Sequence, residues 1–214
     1  MRALLLLLLF PALAHANTND ELAYGGWVRA LHSPSANAVT DQSLAGPEVS
    51  YARELVPDLV LPKLSLWVMA SFGGGDATGS MFQVMTTEIG YLEFTAGARA
   101  HYELWPFLVA GARIEAGTAR ASLAIENAGE RYTDHGWGAV TEGALSLELR
   151  PYAGRRFACG VRGELGFATA SAIELTPRAS RPDDGTIELP MTRSSLGHLD
   201  LGGTTATLSI FAAF

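Results

Sequence analysis

The sequence predicts an all-β protein: an eight-stranded antiparallel up-and-down transmembrane β-barrel. Three observations predict this fold. The N terminus has the pattern of an export signal, eight segments alternate apolar and polar residues with a period of two, and the connections between these segments alternate between short and long.

The first residues have the pattern of a secretory signal peptide. Arg2 is followed by the apolar run 3–10 and by a small-x-small cleavage site at 14–16. The run is too short to span a bilayer as a helix. We therefore expect cleavage after Ala16 and a single mature domain, 17–214, outside the cytoplasm.

Composition narrows the class of protein. The formal net charge of −7 argues against a general nucleic-acid binder. The single cysteine, Cys159, cannot form an internal disulfide. Although 48% of residues are hydrophobic, no stretch after the signal approaches the ~18 consecutive apolar residues of a transmembrane helix. The mature chain is therefore a membrane β-barrel or a secreted β protein with an apolar core.

The predicted strands differ in clarity. The clearest is 92–104, where apolar and polar residues alternate along the whole segment. The segments 23–33 and 48–56 are weaker, because they are short or imperfect. The remaining five predicted strands are 63–72, 107–123, 137–152, 157–172 and 199–214.

The connections predict which strand ends lie together. Short turns are predicted at 57–62, 105–106 and 153–156. Long polar loops are predicted at about 34–47, 73–89, 124–136 and 173–198. In an up-and-down barrel, all short turns and both termini then share one end, and all long loops share the other. Membrane barrels have this asymmetry.

Aromatic residues fall into two groups along the predicted barrel axis. The group at the short-turn end is Tyr102, Trp105, Phe107, Tyr152, Phe157 and Phe214. The group toward the long-loop end is Phe72, Tyr91, Phe94, Trp137 and Phe167. Two such belts are typical of the two membrane interfaces and favour an apolar outer face. The alternation by itself leaves open a soluble, lipocalin-like barrel with its apolar face inside.

The last strand is apolar to its final residue. Phe214 shares a face with Leu208 and Ile210. Together with the strand pattern, this segment resembles the small eight-stranded outer-membrane β-barrel proteins, such as the transmembrane domain of the OmpA family. It departs from that family's pattern at Ala212, where the family commonly has an aromatic, and at Ser209, where it often has a glycine. The resemblance covers essentially the whole mature chain, as pattern rather than motif.

That resemblance implies a location and partners. It implies the outer membrane of a Gram-negative bacterium, a monomer, and contact with outer-membrane lipid. It also implies that Leu208, Ile210 and Phe214 form an assembly signal read by the barrel assembly machinery, with periplasmic chaperones as partners during biogenesis.

The polar faces of the strands carry charges that an apolar-outward barrel would enclose. An eight-stranded interior is just wide enough to be filled by side chains, and charges buried there must pair. We therefore predict a lumen charge network that plugs the barrel, with a narrow solute conduit as the alternative. Its predicted members are Arg29, Glu93, Arg99, His101, Glu103, Arg113, Glu115, Glu142, Glu148, Arg150, Arg162 and Glu164.

No spacing points to catalysis, a metal or a cofactor. The candidate histidine pairs match no catalytic motif: His101 with Glu103, His32 with Ser33, Asp134 with His135, and His198 with Asp200. Metal-ligand spacings and phosphate-binding glycine loops are missing from the sequence. We expect a non-enzymatic barrel with a structural or surface-interaction role, in which the loops carry binding. A lipid-A-modifying barrel enzyme is the alternative.

Overall fold

The computed structural model describes residues 19–81, 85–127, 130–154, 157–174 and 198–214. The predicted signal peptide and most of the predicted loop 173–198 lie outside the described residues. The described elements are β1 (Asp20–Leu31), α1 (Pro34–Asn37), β2 (Leu44–Val56), β3 (Leu64–Met81), β4 (Met85–Trp105), β5 (Leu108–Asn127), β6 (Glu130–Ala153), β7 (Ala158–Ala170), β8 (Ile173–Glu174), β9 (His198–Leu199) and β10 (Gly203–Ala213).

Eight of these strands close into a ring. Every neighbour is antiparallel, in the order β1-β10-β7-β6-β5-β4-β3-β2, and β8 and β9 form a separate two-stranded ladder. The chain ends meet at the closure, where Asp20 N donates to Phe214 O at 3.0 Å and Phe214 N donates to Asp20 O at 2.7 Å. The predicted eight-stranded antiparallel up-and-down barrel is confirmed.

The barrel has two different ends. At the turn-side end lie the connections β2–β3, β4–β5 and β6–β7 together with residues 20 and 214. The loop-side end carries the other connections. There β3 and β4, and likewise β5 and β6, continue as long pairs beyond the other strands. We call these parts the loop-side extension (described residues 74–81, 85–91, 118–127 and 130–139).

The extension corrects two predicted loops. Most of 73–89 and of 124–136 is paired strand: β3 and β4 stay in register from Gly73↔Glu93 to Met81↔Met85, and β5 and β6 pair as far as Asn127↔Glu130. Gly, Ser, Thr and Asp give these stretches the composition of loops. Continuous backbone pairing across each hairpin makes them strands nevertheless, because hydrogen-bonded partners override weak intrinsic propensity.

The predicted loop 34–47 contains α1 and the first residues of β2. Ser33 caps α1, its Oγ accepting from Ser35 N at 3.3 Å, and Pro34 occupies the first turn, where no backbone donor is required. Among the described residues, no helix is long and apolar enough to cross a membrane.

Candidate functional site: the barrel wall and its interior

Strand register places most of the predicted lumen residues on the buried face. The wall is a single layer, so a side chain that the wall buries lies inside the barrel. The buried members are Arg29, Glu93, Arg99, His101, Arg113, Glu115, Glu142, Glu148, Arg162 and Glu164. Glu103 and Arg150 lie at the turn-side end and are partly exposed.

Toward the loop-side end, the interior charges centre on Arg29. Its guanidinium lies 3.1 Å from Glu93 Oε2 and 3.2 Å from Glu142 Oε2, and it donates to Tyr91 Oη at 2.9 Å. The same guanidinium packs over the rings of Trp27 and Tyr91, each at 5.2 Å from the ring centroid. Arg29 is therefore paired with two carboxylates and also stabilised by two aromatic faces.

In the middle of the barrel, Arg113 joins carboxylates from three strands. It contacts Glu115 on its own strand, Glu142 on β6 and, at 2.8 Å, Glu164 on β7. Because Glu142 also contacts Arg29, the two arginines share one carboxylate. Like charges are thus separated by opposite ones along the barrel axis.

The turn-side half continues the alternation. Arg99 lies 3.0 Å from Glu21 Oε1 and 3.6 Å from Glu164 Oε1. Arg162 contacts Glu21 and lies 2.6 Å from Glu148 Oε1.

His101 and Arg150 complete this half of the barrel. His101 Nε2 lies 2.9 Å from Glu148 Oε1, and Arg150 Nη2 lies 2.9 Å from Glu148 Oε2. Residues from Arg29 to Arg150 are therefore linked by shared carboxylates into one chain of contacts. Removing one member leaves its partners buried with less compensation, which is costly.

Sequence reasoning missed Glu21 and misplaced Tyr91. Glu21 is fully buried and bridges Arg99 and Arg162, yet it lies just before the predicted strand 23–33. Glu21 and Arg29 are an even number of residues apart on β1 and therefore lie on the same face, and this spacing could have identified Glu21 as a member of the network. Tyr91 was predicted in the outer aromatic belt, which is wrong: it shares the inward parity of Glu93 and donates to that carboxylate at 2.8 Å.

Apolar side chains fill the loop-side end, above Arg29. We call this cluster the loop-side cap; its buried members are Trp27, Ala36, Val39, Leu44, Ala77, Ile89, Tyr91, Ala119, Ala121, Leu123, Ile125, Val140, Ile173, Leu199 and Leu201. α1 and the segment 199–201 enter it from the connections. Asp200 N donates to Ser35 Oγ at 3.1 Å, and Thr40 Oγ1 donates to Thr78 O at 2.7 Å, which fixes both segments.

The turn-side end combines charged side chains with a small apolar cluster of Ala52, Trp67 and Met69. A cavity of about 280 Å³ there is lined by Glu54, Lys63, Trp67, His101 and Glu103, among others. Glu103 does not join His101; its carboxylate lies 3.9 Å from Lys63 Nζ instead. In the described part of the chain, no group of three or more His, Cys, Asp or Glu side chains could hold a metal ion.

Large apolar side chains from all eight barrel strands face outward. We call them the apolar band: Tyr24, Val28, Val49, Tyr51, Val68, Phe72, Leu92, Phe94, Tyr102, Ile114, Leu145, Leu147, Leu149, Val161, Leu165, Phe167, Leu208 and Ile210. None of the residues that the structure describes covers these side chains. A water-soluble barrel has the opposite arrangement, with its apolar face inside.

Polarity reverses where the band meets the loop-side extension. On β4, outward Leu92 and Phe94 give way to outward Glu88, while inward Glu93 gives way to inward Ile89. On β3 the outward residues become Asp76, Thr78 and Ser80, and on β5 they become Thr118, Arg120 and Ser122. On β6 the exposed Trp137 lies at the boundary, with outward Thr133 and Arg131 beyond it. The wall is thus apolar-outward over the band and polar-outward over the extension.

Neither His32 nor His101 forms a catalytic arrangement with the described residues. His32 Nε2 lies 3.4 Å from Thr204 Oγ1, with no acid bonded to it. Two serines lie inside near His101. Ser146 Oγ has no hydrogen-bond partner in the described structure, and Ser65, the register partner of His101, accepts from Trp67 Nε1 at 2.8 Å instead of bonding to the imidazole. A nucleophile that is not bonded to its base is not activated.

No family model and no curated protein matches the chain. Solved structures do. Ail, the attachment invasion locus protein of Yersinia pestis, aligns at 11% identity over 91% of this chain and 97% of its own, with a TM-score of 0.49. Neisserial surface protein A (NspA) aligns at 8% identity over 92% and 97%, with a TM-score of 0.48. These values are low, and the architecture described above rests on this chain's own strand pairing.

Proposed function

We propose that the chain is an outer-membrane β-barrel protein without enzymatic activity, plugged by its lumen charge network. The observation that carries the proposal is the reversal of polarity along single strands. An uncovered apolar band with charges inside fits hydrocarbon, and a polar outer face with an apolar cap inside fits water. A single strand carries both arrangements only where the barrel crosses a membrane and continues into water beyond it.

The test uses thiol accessibility in intact cells. In a Cys159→Ser background, Thr133→Cys places a thiol on the exposed outer face of the extension, and Leu147→Cys places one in the apolar band. We expect a membrane-impermeant maleimide to label the first variant and not the second. The reverse pattern would contradict the proposal.

Fractionation complements that test. The protein should remain with outer membranes after alkali extraction and migrate faster on gels when unheated, because a closed barrel has no edge from which to unfold. Release into the soluble periplasmic fraction would favour the lipocalin-like barrel. A steady planar-bilayer current from the wild type would favour the conduit over the plug.

A surface-interaction role is proposed for the loop-side extension. Its hairpins form a rigid four-stranded surface whose outward side chains include Asp76, Glu88, Arg131 and Thr133. Binding residues commonly lie on such projections from a fixed scaffold. Glu88→Lys should leave barrel assembly unchanged and alter attachment of cells to a surface. Unchanged attachment would leave the protein a purely structural barrel.

A further inference from the structure

The cavity of about 280 Å³ at the turn-side end is lined by inward-facing side chains. In the strand register Glu54 is opposite the buried Trp67, and Glu103 is opposite the buried Val109. His101 lines the cavity as well, two residues before Glu103 on β4. The volume has room for several water molecules or for one short organic chain. A small ligand therefore fits inside the barrel mouth.

His101 presents a hydrogen-bond acceptor that has no donor. The side chain is only 3% exposed, its Nε2 lies 2.9 Å from Glu148 Oε1, and its Nδ1 has no hydrogen-bond partner among the described residues. A neutral imidazole that carries its proton on the nitrogen next to a carboxylate leaves the other nitrogen as an acceptor. Because a buried acceptor without a donor is costly, the cavity favours a ligand with N–H or O–H groups.

Two carboxylates of the cavity are incompletely compensated. Glu103 is paired only with Lys63 Nζ, at 3.9 Å, and both side chains are roughly half exposed. Glu54 has no ion pair within the part of the chain that the structure describes. Arg150 also lines the cavity, but Glu148 Oε2 holds its guanidinium at 2.9 Å. The acceptors of the cavity therefore favour a ligand that carries positive charge.

Lys63 shows that an ammonium group is accommodated at the cavity rim. Its backbone has a φ of 73°, in the left-handed region that residues with a Cβ rarely adopt, and its N donates to Asp58 Oδ1 at 2.6 Å. The β2–β3 turn thereby holds this lysine beside Glu103. Because an exposed ion pair of this kind is weak, another ammonium group can replace it.

We propose that the turn-side cavity binds the primary ammonium group of a small organic cation with a short apolar tail. The ammonium displaces Lys63 and donates one N–H each to Glu103, to Glu54 and to His101 Nδ1. Trp67 packs beside the cation, and the alanines of the cavity wall contact the tail. This inference goes beyond the plug proposed above and leaves it unchanged.

The experiment is isothermal titration calorimetry of the wild-type barrel folded in micelles, with the heat of empty micelles subtracted. Pentylamine, which is protonated at about pH 7, is compared with 1-pentanol and with trimethylpentylammonium. The alcohol lacks the charge, and the quaternary cation lacks N–H donors. We expect pentylamine to bind roughly tenfold more tightly than either, the factor that one charge-assisted hydrogen bond supplies.

Matched variants assign the binding to this cavity. Glu103→Gln should weaken pentylamine binding roughly tenfold, for the same reason. Glu88→Gln, which removes an exposed carboxylate from the extension, should leave it unchanged. Lys63→Gln should strengthen binding, because it removes the competing ammonium. Ala158→Leu should abolish binding by filling the cavity, whereas Ala112→Leu, on the exposed outer face of β5, controls for the added apolar volume.

Heat-dependent gel migration is measured on every variant, so that binding is compared only between closed barrels. If Ala158→Leu does not close, Glu103→Gln and Lys63→Gln, at partly exposed positions, decide the question. Equal binding of pentylamine and either comparison compound, or binding unchanged by Glu103→Gln, overturns the proposal and makes the cavity a water-filled mouth. A closed barrel that does not bind pentylamine loses only this site and retains its proposed membrane location.

Discussion

The two parts of strand β4 have the same periodicity and opposite polarity. In the band segment, 92–104, apolar side chains face outward and Glu93, Arg99 and His101 face inward; in the extension segment, 85–90, Glu88 faces outward and Ile89 faces inward. Alternation with a period of two therefore specifies a strand. Which face is apolar is specified separately, by the medium outside the wall.

The polarity of the barrel interior changes at the same level as the polarity of its outer face. Beside the band it contains paired charges, and beside the extension it contains the loop-side cap. An ion-pair network specifies register, since each charge must meet its partner, whereas the cap stabilises the extension by burial of apolar area. The following predictions test whether the two regions differ as proposed.

The largest effect is expected inside the band. Arg99→Ala removes one of the two cations that contact Glu21, which keeps Arg162, and one of those that contact Glu164, which keeps Arg113. Because both carboxylates stay buried with less compensation, the free energy of unfolding should fall by roughly 3–5 kcal/mol. Urea titration of the barrel in lipid vesicles measures it. A harmless substitution, accompanied by planar-bilayer current in the wild type, would contradict the plug and favour the conduit.

The second prediction compares the same substitution on the outer face of the apolar band and on the outer face of the extension. Leu147→Arg places a cation in the apolar band and should cost roughly 2–4 kcal/mol near the bilayer midplane. Thr133→Arg places the same cation on the outer face of β6 in the extension, where water solvates it, and should cost close to nothing. Equal costs in the same vesicle titration would remove the distinction between the regions.

The sequence predicted the band region better than the extension. Charges at every second position, as in 92–104, identify both the strand and its polar face. The number of such segments, eight, predicts a closed eight-stranded barrel. The extension residues Gly74–Ser80 could not be recognised as strand, because their composition is that of loops and they lack alternating apolar residues. Tyr91 was assigned to the outer belt because its ring suits an interface, although its parity with Glu93 places it inside.

A third prediction concerns the turn-side edge of the band. Phe214 pairs with Asp20 at the closure, and its deletion should cost about 2 kcal/mol by lost apolar area. If Leu208, Ile210 and Phe214 form an assembly signal, the membrane yield in cells should fall far more than that loss explains, with precursor in the periplasm. Phe157→Ala, at an exposed aromatic in the same belt, is the control. Equal membrane yields would make Phe214 a packing residue only.

The smallest effect is expected for an ion pair on the outer face of the extension, which can be compared with an ion pair inside the barrel. Arg131 Nη2 lies 2.7 Å from Glu88 Oε2 on the outer face of the extension, and both side chains are more than half exposed. Arg131→Gln should therefore cost only about 0.2–1 kcal/mol. Arg99 makes an equivalent contact with Glu21 at 3.0 Å, but both side chains are almost fully buried.

Salt distinguishes these two ion pairs. The cost of Arg131→Gln should shrink as ionic strength rises, because exposed charges are screened, while the cost of Arg99→Ala should hardly change. A double-mutant cycle with Glu88→Gln isolates the exposed pair from other effects of the substitution. A coupling energy for Arg131 and Glu88 that is large and independent of salt would show that the outer face of the extension is not in water. The reversal of polarity along the strands would then need another cause than the edge of a membrane.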